Sequence, residues 1–375
     1  MSSHRALLAP AAVLAVLLAG LAGCTDDAAP GPSRADASSF LLAEDPEELT
    51  RAVDRAVGRG RGDLAALRSV LVQQGGELVV ERYYVGGPDA SANTASVTKS
   101  VLGALVGIAV AEGELTLDQR LDESLPAYAD RMRGEVASIT VRELLTMTAG
   151  LTPDSELDLT AWLGSDDWVG EILRQGVVGR KGEFAYSSQG SHLLGAVLTE
   201  AVGTSLLEYA DRRLLGPLGI DLTGAATPVV APENVPEYDG ARFAWPTDPT
   251  GLFNGFAFLK LRPQDLVRLG RLYLDEGRWQ GRQLVPRRWV AASTRDHVGE
   301  TGQEGLGYGY HWWTAEVEGH HAFGAIGAGG QLVQVVPDMQ LVVVATSTIG
   351  AEPPLDGVDL AVRIDRAVLP ALEPR

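Results

Sequence analysis

Strand-like segments stand at both ends of this 375-residue chain and helical patterns fill its middle. That order restricts the fold more than any other feature. Near the start, Ser69 to Gln73 and Glu77 to Tyr84 are rich in β-formers and separated by Gln74-Gly75-Gly76, which predicts a hairpin. Near the end, His311-Trp312-Trp313, Gln331 to Val336 and Leu341 to Ala345 read as strands, with Pro337-Asp338-Met339-Gln340 as the turn between the last two. Between them, Thr140 precedes Glu143 at capping-box spacing, Ser191 to Ala201 is apolar, and Gln264 to Glu276 sets Leu266, Leu269, Leu272 and Tyr273 on one helical face. Helices are also expected from Asp45 to about Val57, over Thr98 to Ala111 and over Leu360 to Val368. Strands supplied by both ends have to share a sheet to bury their apolar faces. The expectation is therefore an α/β (α+β) domain over 46–375. Its sheet part covers about 46–112 and 300–375, a mainly helical part covers about 113–299, and a cleft lies between them.

The first residues read as an address. His4 and Arg5 precede an apolar run from Ala6 to Gly20 that is too short for an ordinary membrane span, so residues 1–23 are expected to be a signal peptide. Leu21-Ala22-Gly23-Cys24 resembles the lipobox of bacterial lipoproteins. The resemblance implies lipidation at Cys24 and a lipid anchor at the outer face of the cytoplasmic membrane. Residues 24–45, poor in apolar periodicity, are expected to be a flexible tether. Cys24 is the only cysteine, which excludes an intrachain disulfide and a thiolate metal cluster. The formal net charge of -18 repels phosphate backbones, so no nucleic-acid partner is expected.

Chemistry enters at Ser96-Val97-Thr98-Lys99. A serine hydroxyl is a weak nucleophile until a base takes its proton. At i and i+3 on a helix the two side chains share a face, and the apolar residues from Val101 to Val110 would bury the amine and lower its pKa. The motif alone is also what a capped, solvated helix start looks like. Tyr186-Ser187-Ser188, on a loop before a buried helix, could point a phenol into a cleft as a proton relay, with a packed turn as the competing reading. Trp162 and Trp168 are candidates for lining an acyl or leaving-group pocket, against ordinary core packing. His320 and His321 read as an exposed strand-edge pair. Gly324 to Gly330 lacks the lysine and βαβ setting of a nucleotide loop, and no metal-binding histidine pair occurs.

Taken together, these segments resemble the serine β-lactamase superfamily: class C β-lactamases, D-alanyl-D-alanine carboxypeptidases and related esterases, and above all the 6-aminohexanoate-dimer hydrolase and esterase branch. The segments are Ser96 to Ser100, Thr140 to Leu151, Gly182 to Gly195, Leu261 to Val290, and Gly327 to Gln331 with Val336-Pro337-Asp338. They span about 65–350 in the family's order. The resemblance implies a β-lactamase/transpeptidase-like fold with an antiparallel sheet flanked by helices. It implies Ser96 as acylated nucleophile, Lys99 as base, Tyr186 as relay, and an oxyanion hole from the amides of Ser96 and Ala328. No metal or organic cofactor is implied, and the partner would be a small ester, amide or peptide. Two departures bear on substrate. Ser188 stands where class C enzymes usually carry Asn, and with Trp168 is a candidate substrate contact. Ile326-Gly327 replaces the cationic motif that faces a substrate carboxylate. An esterase or amidase is therefore expected, with a penicillin-recognising enzyme and a non-catalytic binding protein as alternatives.

Overall fold

In the computed structural model, which describes residues 46–351 and 354–372, strands from both ends of the chain pair in one seven-stranded antiparallel sheet. They are β1 (Leu67–Gln74), β2 (Glu77–Tyr83), β3 (Leu306–Tyr308), β4 (Trp313–Val317), β5 (His320–Gly327), β6 (Gln331–Val336) and β7 (Leu341–Ser347), in the order β2-β1-β7-β6-β5-β4-β3. The closing pair is β1 with β7, in register at Val70 with Ala345 and Val72 with Val343. The signal-like segment, Cys24 and the tether lie outside the described residues. Among the described residues, no helix is long and apolar enough to cross a membrane.

Both faces of the sheet are covered, which explains the unbroken apolar run of β7. Val342 and Val344 face one layer with α2 (Val97–Glu112) and α6 (Pro263–Leu274). Val343 and Ala345 face a second layer with α1 (Pro46–Ala56) and α7 (Gly357–Leu372). Every residue of α2 from Val97 to Ala109 is buried. Gly107 lets Trp289 lie directly on that helix, since a Cβ there would stand 2.3 Å from the indole.

The inserted region supplies α3 (Val141–Leu145), α4 (Trp168–Gln175) and α5 (Ser188–Val202). Thr140 and Glu143 form the reciprocal capping box at the start of α3, with Glu143 N–H donating to the threonine hydroxyl and Thr140 N–H to the glutamate. One sequence expectation needs correcting: His311-Trp312 is not strand. His311 has a left-handed backbone (φ 60°), and β4 begins at Trp313. His320 and His321 open β5, at the opposite end of that strand from Gly327. His320 pairs there with Asp338 at 2.6 Å, and His321 meets the Thr294 carbonyl at 3.1 Å.

Candidate active site

Ser96 sits on the turn that starts α2. Ala95 before it holds a left-handed backbone (φ 47°), a conformation that costs a residue with a side chain of order 1 kcal/mol or more. A serine at a helix N-cap usually turns its hydroxyl back to the helix amides. Ser96 makes no such bond; its Oγ lies within hydrogen-bond distance of Lys99 Nζ, 2.9 Å away and one turn further on.

Lys99 is 1% exposed. Its Nζ also donates to Ser188 Oγ at 3.2 Å and to the Phe256 carbonyl at 3.1 Å. Burial pulls its pKa down to about 8, opposed by the negative charge of Asp154. A neutral amine has two N–H groups and one lone pair. The Phe256 carbonyl can only accept. Ser188 gives its own proton to Asp154 Oδ2 at 2.6 Å, so it too accepts from Lys99. With both N–H groups so committed, the lone pair is left facing Ser96.

Asp154 is exposed and ties the loop after α3 to the tyrosine segment. Its Oδ1 accepts from Ser188 N–H at 2.6 Å, and its own N–H donates to the Tyr186 carbonyl at 2.8 Å. The Tyr186 hydroxyl is turned toward Ser96, which acts to lower the phenol pKa, and the ring centroid lies 4.9 Å from Lys99 Nζ. The ring stacks on Trp313 at 5.6 Å and meets Tyr308 edge-on at 6.0 Å. Burial pushes the phenol pKa well above its ordinary value, against the opposing influence of Ser96, so Tyr186 is a protonated phenol at neutral pH.

Two buried histidines brace this arrangement. His192 Nε2 meets Asp248 Oδ2 at 3.2 Å with both side chains fully enclosed. Burial raises the Asp248 carboxyl, but the His192 contact and hydrogen bonds from Thr250 and Leu252 outweigh it and hold its pKa below the usual value. The loop they fix ends at Asn254, whose Oδ1 accepts from the amides of Phe256 and Ala257 at 3.0 Å each, and so aims the Phe256 carbonyl at Lys99. His311 Nδ1 donates to the Lys99 carbonyl at 2.9 Å from below, and burial drives its pKa down to about 3.

Ala328 lies in the turn after β5 rather than on a strand. Gly327 brings it there: a Cβ at Gly327 would stand 2.5 Å from the Thr94 carbonyl and 3.1 Å from Ala95 Cβ, so the strand end is pressed against the residues leading into Ser96. Neither the Ser96 nor the Ala328 amide is among the donors of the described turns, loops and caps. Trp168 is a correction. It is 0% exposed and packed against Trp162, His192 and Phe256, one layer behind Lys99, where no substrate reaches it. Nothing in the sequence singles out Asp154, His311 or Asp248. The only hint at Asp154 is its place directly after the recognisable Thr140 to Leu151 segment. Among the described residues, no cluster of His, Cys, Asp and Glu is grouped to hold a metal ion.

A two-sided antiparallel sheet with a serine, a buried lysine and a tyrosine gathered at one helix start is the arrangement of the serine β-lactamase-fold hydrolases, a group of esterases, amidases and penicillin-binding proteins. The chain belongs to the Beta-lactamase family, whose profile matches residues 53–367. It is 25% identical over 304 residues to the 6-aminohexanoate-dimer hydrolase of Paenarthrobacter ureafaciens, covering 74% of this chain and 71% of that protein. It is 25% identical over 302 residues to penicillin-binding protein 4 of Amycolatopsis lactamdurans, covering 74% and 75%. Among solved structures, EstCE1, a hydrolase with promiscuous acyltransferase activity, superposes with a TM-score of 0.67 at 20% identity over 86% of this chain and 99% of its own.

Proposed function

We propose that this chain is an extracytoplasmic serine esterase or amidase that works through an acyl-Ser96 intermediate. The observation that carries the proposal is the three-way commitment of Lys99: two acceptors hold its N–H groups, and the remaining direction points at Ser96 Oγ, 2.9 Å away. As Ser96 Oγ attacks the carbonyl carbon, its proton passes to Lys99 Nζ. The developing oxyanion takes the amides of Ser96 and Ala328; one such donor is worth about 3–4 kcal/mol in the transition state. Tyr186, held protonated, gives its proton to the departing alcohol or amine and is refilled from the Lys99 ammonium. In the second half, water gives a proton to Lys99 as it attacks the acyl carbon, and Lys99 returns that proton to Ser96 Oγ as the C–O bond to the acyl group breaks, which releases the acid and restores the free serine and neutral amine. Anchoring at Cys24 would hold the enzyme outside the cytoplasmic membrane; Cys24→Ala should release it to the soluble fraction.

The test is covalent labelling by a fluorophosphonate together with the burst from an aryl ester. Wild type should label and burst, and Ser96→Ala should do neither. Equal labelling of both proteins would remove Ser96 from the role. β-Lactam acylation is the second reading, supported by the penicillin-binding relative. Against it, Ile326-Gly327 at the end of β5 offers no cation to a substrate carboxylate.

A further inference from the structure

A cavity of about 610 Å³ adjoins the three segments that frame Ser96. Asn93 lines it and accepts the Ala95 N–H at 2.9 Å, just ahead of the nucleophile. Phe258 lines it and meets Phe256 edge-on at 6.0 Å, next to the carbonyl that holds Lys99. Ile349 lines it and backs Gly329, in the turn that begins at Ala328. The cavity is not the pocket of the catalytic groups themselves, and nothing in the mechanism above uses it.

Its charge runs against the rest of the molecule. In a chain of net charge -18, the cavity faces Arg68 and Lys260, with Asp239 the only acid of its lining among the described residues. Lys260 is 7% exposed. Its Nζ donates to the carbonyls of Tyr238 at 3.0 Å and Asp239 at 2.7 Å, which leaves its third N–H. Burial above all lowers the Lys260 pKa, with Arg68 adding to that and Asp239 opposing it. Among the described residues, the Arg68 guanidinium, which lines the cavity and lies near Gly86, has no hydrogen-bond or ion-pair partner. The Tyr238 hydroxyl is buried with no hydrogen-bond partner among the described residues. The rest of the lining is mixed, with Ser91, Asn234, Ser347 and Thr348 beside an apolar stretch that includes Val229, 37% exposed, and Ile349, 41% exposed. Two cations facing one space disfavour each other, and an anion between them would relieve both.

We propose that this cavity is an acid-recognition pocket, which takes a carboxylate carried on a short apolar chain of the substrate between Arg68 and Lys260. The proposal rests on the Ser96 mechanism for its meaning, since it names the substrate class of that site: esters or amides with a free carboxylate on the side that enters this cavity. It would also supply, from β1 and the strand pair at Lys260, the countercharge that Ile326-Gly327 does not. Guanidinium and carboxylate pair in a planar, two-bond fit, and the apolar wall would receive the methylenes.

The experiment compares mono-4-nitrophenyl esters of succinate, adipate and sebacate with neutral 4-nitrophenyl esters of the same chain lengths, using the full chain. One acid ester should exceed its neutral partner in kcat/KM by about tenfold or more, the effect of one charge-assisted hydrogen bond. In Arg68→Gln that ratio should fall to near one, mostly through KM, and Arg68→Lys should restore part of it. No acid preference at any length in wild type, or a preference that survives Arg68→Gln, overturns the pocket. Calorimetric titration of monomethyl adipate into wild type and Arg68→Gln decides it without turnover. Binding that Arg68→Gln abolishes supports the pocket even if Ser96-dependent hydrolysis is absent, whereas hydrolysis of neutral esters without this binding leaves the mechanism standing and removes the pocket.

Discussion

Replacing Asp154 with asparagine removes a charge from the site while keeping an acceptor for Ser188. Asp154 Oδ2 receives the Ser188 proton at 2.6 Å, and Ser188 Oγ receives Lys99 at 3.2 Å. The carboxylate and the ammonium thus stand about 5 Å apart, a separation worth roughly 3 kcal/mol at an effective dielectric of 20 and roughly 1 kcal/mol in water. Asp154 is exposed, so solvent screens it and the lower figure applies, about 1 kcal/mol. Its charge favours the ammonium form, so Asp154→Asn should move the Lys99 pKa down from about 8 by roughly 0.7, at about 1.4 kcal/mol per pH unit. Because the base works when neutral, kcat/KM rises with pH through this pKa. Its acid limb should shift to lower pH, and the ratio of kcat/KM at pH 7 to its plateau should rise about fourfold. The plateau itself should fall, since the Ser188 amide and hydroxyl use the two separate carboxylate oxygens and asparagine puts an NH2 group, which cannot accept, in place of one of them. The assay is kcat/KM for an aryl ester from pH 5.5 to 10 at low salt, repeated at high salt, where screening should move wild type toward the variant. An acid limb that stays in place, or moves up, would refute the electrostatic coupling and leave Asp154 a loop fastener only.

Three further outcomes follow from the packing. Tyr186→Phe should lower kcat by about 10²–10⁴, the usual worth of a positioned proton donor, while melting as wild type does, because the ring keeps its stack on Trp313. Gly107→Ala should destabilise by about 1–3 kcal/mol, read as a lower Tm, because the added methyl meets the Trp289 indole. His311 titrates at about 3 when folded and near 6.5 when unfolded, so the stability it confers is whole above pH 6.5 and is lost as pH falls toward 3. Its share of the loss approaches about 1.4 kcal/mol per pH unit below 6. His311→Asn, which tolerates the left-handed backbone, should flatten the denaturant midpoint against pH over that range; an unchanged slope would assign acid sensitivity elsewhere.

Where the chain marks its own structure, it does so through local chemistry. Gln74-Gly75-Gly76 set the hairpin, and both glycines adopt left-handed backbone. The capping box fixed the start of α3, and the apolar run from Thr98 delimited α2 to within a residue or two. What was not legible depends on burial from two sides. Strand β5, His-His-Ala-Phe-Gly-Ala-Ile-Gly, shows no alternation because α2 lies over one face and α7 over the other. Trp168 was open to misreading because an indole lining a pocket and an indole sealed behind one look alike in one dimension; Phe256, nearly ninety residues on, is what closes it off.

The same limit applies to charge. Asp154 is one acid among 49 Asp and Glu, and no local pattern separates it from the solvated ones. Its significance arises only because the fold lays Ser188 between it and Lys99. Ser188 then explains itself: an asparagine there would offer the lysine an amide oxygen, whereas a hydroxyl accepts from the lysine only if its own proton has somewhere to go. Asp154 is that place. The serine at this position and the acid on the neighbouring loop therefore form one unit. Ser188→Asn should weaken the coupling between Asp154 and Lys99, so the pH shift of Asp154→Asn should be smaller in the Ser188→Asn background than in wild type. A full, additive shift in the double variant would mean that the two charges interact through space alone and that the hydroxyl between them carries nothing.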